Sequence, residues 1–481
     1  MTTRVAASGG SLALDAAARD RLDERLEHAS ALARRERRPV LASVTSPIDP
    51  AIDVSAVVLA GRRTEDRFFC FEQPDRDRFA LAGLGEAAAV ESSGGGRFAR
   101  VVAECRRLAR DAFRDDPEPG TGAAVGPVWV GGFAFADEGG AVPEWSSLPA
   151  ALLTLPEVSL ARQGDAAWLT ASALVHGDEA PDALLERIEA RLAELAPAAM
   201  PLLDPDPVES ARVAGAAPPE HFESAIRRAT ERIAAGEVEK VVLAREVRVH
   251  MPRPVEPGAV YDGLRAGFPS CYCYLVGTPE AVFLGASPEL LVRRDGQRAQ
   301  TVALAGTRRR SADPSVDRHL AEQLLQSPKD REEQAIVTRR IERALRPVSV
   351  WVAAADEPVV VKVQNVQHLG TPIRAQLSDP IACVELAGRL HPTPAVGGEP
   401  RDRALPLIPA LEGLDRGWYA GPVGWTDLAE DGEFCVALRC ALLRGTVAHL
   451  YAGEGIVRDS VPSEELAANE AKLQALLPLL T

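Results

Sequence analysis

The chain has 481 residues, 46% hydrophobic and 26% charged, an ordinary globular balance with enough length for a large buried core. Its net charge of −15 argues against a nucleic-acid or anionic-membrane surface, so a site for an anion must create its own positive field from metal, Lys, Arg and backbone N–H groups. The seven cysteines are scattered and include no Cys-x-x-Cys pair, which argues against a disulfide framework or zinc site and fits a reducing cytoplasm. The stretch Met1-Thr-Thr-Arg-Val-Ala-Ala7 lacks an apolar signal core, and no apolar run approaches the ~20 residues that span a bilayer.

Residues 11–37 read as a charged amphipathic helix. Residues 39–185 alternate short apolar runs with Gly/Pro turns, and Val57–Ala60, Phe68–Phe71, Val128–Phe135 and Ala167–Thr170 read as antiparallel strands. Leu184, Leu185, Ile188, Leu192 and Leu195 give Asp182–Leu195 a helical period. Residues 196–219, rich in Pro, Ala and Asp, are the linker candidate. A helix over 219–235 buries Phe222, Ile226 and Ile233, ends at Gly236, and feeds the strand Val241–Ala244. Further strands are expected at 271–276, 281–286, 290–294, 358–364, 434–443 and 448–452, and further helices at 315–327, 329–345, 380–390 and 402–411. Strand pairs separated by helices indicate an α+β class.

Several residues could carry chemistry. Lys240, where a helix turn meets a buried strand, is either a desolvated general base or a surface lysine with a buried stem. Glu289, between an apolar strand and Pro288, is either a turn residue or a carboxyl kept protonated by burial. The acids of Lys329-Asp-Arg-Glu-Glu333 complement a helix dipole and would also suit Mg²⁺. Arg439, in the apolar run Phe434–Cys440, needs an anionic partner, from the protein or a ligand. His368 reads first as a hydrogen-bonded core histidine. Tyr451-Ala-Gly-Glu-Gly-Ile-Val457 reads as a strand ending in a Gly-X-Gly turn before a helix that carries Glu465, Ala468 and Lys472 on one face.

Together these segments resemble the chorismate-utilising enzymes: isochorismate synthase, salicylate synthase, and the large subunits of anthranilate and aminodeoxychorismate synthases. The landmarks run in order through Lys240–Arg245, Ser287-Pro-Glu289, Ala303-Leu-Ala-Gly-Thr307, Lys329-Asp-Arg331, His368-Leu369, Leu390-His-Pro-Thr-Pro394, Gly421-Pro-Val-Gly-Trp425, the Arg439 run and Gly453-x-Gly-Ile-Val457. The resemblance implies two antiparallel β-sheets with surrounding helices in one large chorismate-binding-type domain. Residues 1–200 would be its scaffold part and 219–481 its catalytic core.

The resemblance also implies roles. Lys at position 240 is the mark of members that add water rather than ammonia. Lys240 would activate water to attack C2 of chorismate, and Glu289 would protonate the departing C4 hydroxyl. Arg439, Tyr419 and Lys472 would hold the enolpyruvyl carboxylate side, with His368 and Thr307 in the same binding set. Mg²⁺ would grip the ring carboxylate, aided by the N–H groups around Gly453 and Gly455. The expected activity is that of an Mg²⁺-dependent isochorismate synthase, a cytoplasmic monomer whose product feeds a siderophore, menaquinone or another aromatic metabolite. Salicylate synthase is the neighbouring alternative. Two departures stand out. The metal-site helix of the family usually reads Glu-x-x-Glu-x-x-x-Lys, but here the second Glu is Ala468. The residue between the two glycines is usually Ala, but here it is Glu454. Glu333 and Glu465 remain as metal ligands, with Glu454 as a third candidate. Alternatively, the two changes leave a chorismate-binding homologue with lost or altered activity.

Overall fold

A computed structural model describes residues 12–116, 123–203, 210–364 and 366–481. Its described strands form two large antiparallel sheets, one of twelve strands and one of ten. The larger sheet mixes both halves of the chain: Phe68–Gln73 pairs with Tyr272–Gly277, which pairs with Val282–Ser287. In the smaller sheet Val128–Phe133 pairs with Pro422–Asp427.

The continuous apolar runs reflect burial on both faces. Phe69 and Phe71 join the cluster between the sheets, while Phe68 and Cys70 join the cluster under the outer helices. Tyr272 and Tyr274 divide from Cys273 and Leu275 in the same way. Period-2 alternation in hydrophobicity disappears when both sides are covered. The sheets meet through aromatic contacts such as Phe79 with Trp425, at 6.2 Å between ring centroids. The helices Ala16–Glu36, Val54–Gly61, Pro181–Ala193 and Pro257–Gly267 cover the outer face of the larger sheet.

Three sequence expectations are corrected. Val57–Ala60 lies in the helix Val54–Gly61, because Asp53 caps its N-terminus by accepting the Ala56 N–H; four apolar residues have no resolvable period. Residues 212–215 of the expected linker form a strand on Lys240–His250, and residues 204–209 lie outside the described residues. The expected strand 434–443 is two strands, Gly432–Val436 in the smaller sheet and Cys440–Arg444 in the larger. The chain changes sheet at Ala437–Arg439, and Arg439 adopts a left-handed φ of 47°. Arg439 is therefore not inside a strand.

A second crossing lies alongside. Val282–Ser287 belongs to the larger sheet and Leu290–Asp295 to the smaller, with Pro288 and Glu289 between them. The two crossings are bonded to each other: the Ala286 N–H donates to Arg439 O at 3.1 Å, and the Val436 N–H to Glu289 O at 3.0 Å.

Candidate active site

One cavity opens where these crossings meet the end of the strand Lys240–His250. It gathers Lys240, Glu289, Thr307, Glu333, His368, Tyr419, Arg439, Gly453, Glu454, Gly455, Glu465 and Lys472, every site residue expected from the sequence. They arrive on several different supports. Lys240 opens its strand, which a buried Glu412–Arg416 pair anchors from behind. There Glu412 accepts the Ala244 N–H at 2.6 Å and Arg416 donates to Val242 O at 3.0 Å. Glu333 comes from the helix Pro328–Leu345, and Glu465 and Lys472 from the helix Pro462–Leu473.

The Gly-X-Gly segment is not a turn. Gly453 and Gly455 lie inside the strand Val447–Ile456, opposite Ala244 and Val242. Those two partners send their N–H groups outward, to Glu412 and to Gly397 O. Both are therefore non-hydrogen-bonded pairs, and the glycine N–H groups face the other edge, past the point where Cys440–Arg444 pairs with this strand. The glycines also permit close approach. A Cβ on Gly455 would sit 2.3 Å from Glu333 Oε1 and 2.9 Å from Lys240 Cε, and one on Gly453 2.6 Å from Tyr419 Oη.

Charge in the cavity is organised in pairs. Lys240 Nζ, 1% exposed, lies 2.8 Å from Glu333 Oε1. Lys329 Nζ lies 3.0 Å from Glu465 Oε1, and Lys472 Nζ 2.7 Å from Glu454 Oε2 and 2.8 Å from Gly453 O. Glu289 is buried and, among the described residues, has no lysine partner of its own; there its only side-chain hydrogen bond, from Thr393 Oγ1, is 3.4 Å long. Burial pushes its carboxyl up to about 7, against the opposing pull of Lys240. A carboxyl at that value holds a proton near neutrality and can give it away.

Arg439 has no carboxylate partner among the described residues. Its Nη2 donates to His368 Nε2 at 3.1 Å, and its Nε is buried without an acceptor. Gly306 O, 3.1 Å from His368 Nδ1, can only accept, so Nδ1 carries the ring proton; Thr307 Oγ1 lies 3.0 Å away on the same side. Burial and Arg439 hold the His368 pKa well below its usual value, which keeps the ring neutral. A bulge at Gly306, with φ of 72°, turns that carbonyl to the ring. His368 is thus a buried hydrogen-bonded histidine and also the support of a cation in need of an anion.

Sequence reasoning gave no role to Thr393, Lys329 or Gly306. All three stood in the recognised segments, but only the folded chain shows that Thr393 and Lys329 meet carboxylates and that Gly306 meets His368.

A buried acid, a buried amine and an uncommitted arginine in one cavity between two antiparallel sheets define an enzyme for a small anionic substrate. Its family is narrower: the profile of the chorismate binding enzymes matches residues 24–481, and the chain belongs to that family. It is 33% identical over 463 residues to isochorismate synthase MenF of Bacillus subtilis, covering 94% of this chain and 96% of that one. It is 36% identical over 447 residues to the salicylate biosynthesis isochorismate synthase of Pseudomonas aeruginosa, covering 92% and 91%. The structure of MenF, the menaquinone-specific isochorismate synthase from Escherichia coli, matches with a TM-score of 0.76 at 27% identity, over 95% of this chain and 100% of that one.

Proposed function

We propose that the protein is an isochorismate synthase that adds water at C2 of chorismate and expels the C4 hydroxyl. The observation that carries this reading is the convergence of Lys240 and Glu289 on one cavity, the amine fixed by Glu333 and the carboxyl raised toward neutrality by burial. Lys240, as the free amine with an N–H donated to Glu333, accepts a proton from the attacking water. The ring double bonds shift, and Glu289 gives its proton to the departing hydroxyl, which leaves as water. Arg439, held by neutral His368, takes a substrate carboxylate, with Tyr419 and Lys472 alongside. The N–H groups of Gly453 and Gly455 serve the other carboxylate. Strong identity to isochorismate synthases over more than nine-tenths of both chains supports the same reading.

The donor set fits Mg²⁺ in kind, because Glu333, Glu454 and Glu465 offer only hard carboxylate oxygens and one Glu454 oxygen is buried without a donor. Among the described residues no group of three metal-ligating side chains is assembled, and each of these carboxylates is engaged by a lysine. When bound, Mg²⁺ would neutralise the ring carboxylate of the substrate.

Residues before 219 serve as scaffold and 219–481 carry the chemistry; all of the cavity's lining lies at or beyond Lys240. A monomer is the active form expected from the family resemblance. Seven free cysteines suit a cytoplasmic setting, and among the described residues no helix is long and apolar enough to cross a membrane. Incubation of the purified protein with chorismate, with and without Mg²⁺, followed by chromatography tests the reading. Mg²⁺-dependent isochorismate is expected; salicylate would move the assignment to the neighbouring activity, and unchanged chorismate at every Mg²⁺ level would refute catalysis.

A further inference from the structure

Glu289 is held firmly by its backbone and lightly by its side chain. Ser287 Oγ accepts its N–H at 3.2 Å, and its carbonyl takes the Val436 N–H at 3.0 Å. Beyond the backbone, the hydroxyl of Thr393 makes the one side-chain hydrogen bond found among the described residues, Oγ1 to Oε1 at 3.4 Å. Thr393 is buried and does not line the cavity, so it acts on a ligand only through Glu289. The segment that carries it is tied to the strand of Lys240. Thr393 O accepts the N–H groups of Val396 at 3.1 Å and Gly397 at 2.8 Å, which closes a turn. Gly397 O takes the Val242 N–H at 2.8 Å, and Glu399 pairs with Lys240 in the sheet. Arg416 donates to Val396 O at 2.8 Å and to Val242 O at 3.0 Å, so one buried guanidinium holds both the turn and the strand. The hydroxyl that meets the acid is thus fixed relative to the backbone that carries the amine.

We infer that Thr393 is a positioning residue for proton delivery by Glu289: its hydroxyl holds Oε1, orients the carboxyl and leaves the acid proton on Oε2. The inference rests on the proposed function and adds to it a residue outside the cavity's lining. At delivery the bond from Oε2 to its proton breaks, the proton passes to the departing C4 hydroxyl, and that oxygen leaves as water. The Thr393 hydroxyl keeps its own proton, and its hydrogen bond strengthens as the carboxylate forms. The charges of Lys240, Arg439 and Lys472, from three other elements, also act on this carboxyl, and its own field reaches the Cys435 thiol. All four groups remain in every Thr393 variant, so a difference between variants reads the hydroxyl.

The test compares T393V, which replaces the hydroxyl by a methyl group, with T393S, which keeps it, by turnover of chorismate with Mg²⁺ across pH. In T393V kcat should fall roughly tenfold or more while KM changes by less than about threefold, because orientation is lost and the cavity's lining is not. Its alkaline limb should move up by roughly half a pH unit, because the carboxylate has lost a donor. T393S should restore both. A lower plateau with a later alkaline fall separates positioning from a general loosening of the fold, which lowers kcat alike at every pH. An unmoved or lowered limb in T393V, wild-type kcat there, or a T393S as slow as T393V would each overturn the inference. If circular dichroism shows that T393V does not fold, T393A and T393S, which differ by the one oxygen, carry the same comparison. Infrared titration of the Glu289 carboxyl, assigned by difference against E289Q, reads the contact without turnover, and its midpoint should rise in T393V. That rise, with no turnover of chorismate by the wild type, would sink the activity and leave the hold of the hydroxyl on Glu289 standing; turnover by the wild type with no rise would sink this inference alone.

Discussion

At the scale of single residues, burial decides what each acid does. Glu289 has a raised pKa because desolvation outweighs its attraction to Lys240. As a general acid it must be protonated, so activity should fall as pH rises through about 7. The Glu289→Gln variant, which keeps the shape and loses the proton, should lower turnover by roughly a hundredfold or more. The same shift has a stability sign. The folded value exceeds the ordinary 4.5, so the stabilisation is complete below that value and is lost as pH rises toward about 7. Denaturant midpoints measured across that window should fall less for Glu289→Gln than for the wild type. The sequence could suggest a protonated Glu289 from its flanking apolar strand and proline. It could not show that Arg439 meets His368 rather than a carboxylate or that Lys240 meets Glu333, because those partners lie 71 and 93 residues away along the chain.

At the scale of elements, the site forms where regular structure stops or comes unusually close. Glu289 and Arg439 occupy the two sheet crossings, and the run 434–443 concealed one of them because its residues are apolar on both sides of the break. Hydrophobicity records burial, not which sheet buries a residue. The glycines at 453 and 455 were legible as places of close approach, but the reason differs from a turn. Gly455 lets the strand, the Lys240 stem and the Glu333 helix meet. Gly455→Ala should therefore push Glu333 and Lys240 apart and cut kcat by tenfold or more. Its backbone angle is within reach of alanine, so the melting temperature should move by far less than in a core-cavity variant. A loss of fold rather than of turnover, read by circular dichroism beside the kinetics, would count against this account of the glycine.

At the scale of the whole molecule, a chain of net charge −15 builds a cavity lined by four basic side chains, Lys240, Lys329, Arg439 and Lys472, for an anionic substrate. The α+β class and the order of the landmarks were readable from the sequence. The interleaving of the two halves was not, since pairing such as Phe68–Gln73 with Tyr272–Gly277 joins segments with no local signal of each other. The central claim is that Lys240 and Glu289 replace one hydroxyl by another taken from water. The most direct measurement is the reaction of chorismate in heavy-oxygen water with Mg²⁺, with the product analysed by mass spectrometry. Isochorismate carrying one heavy oxygen at C2 is the predicted result; isochorismate without the label, or anthranilate formed with ammonium, would contradict it.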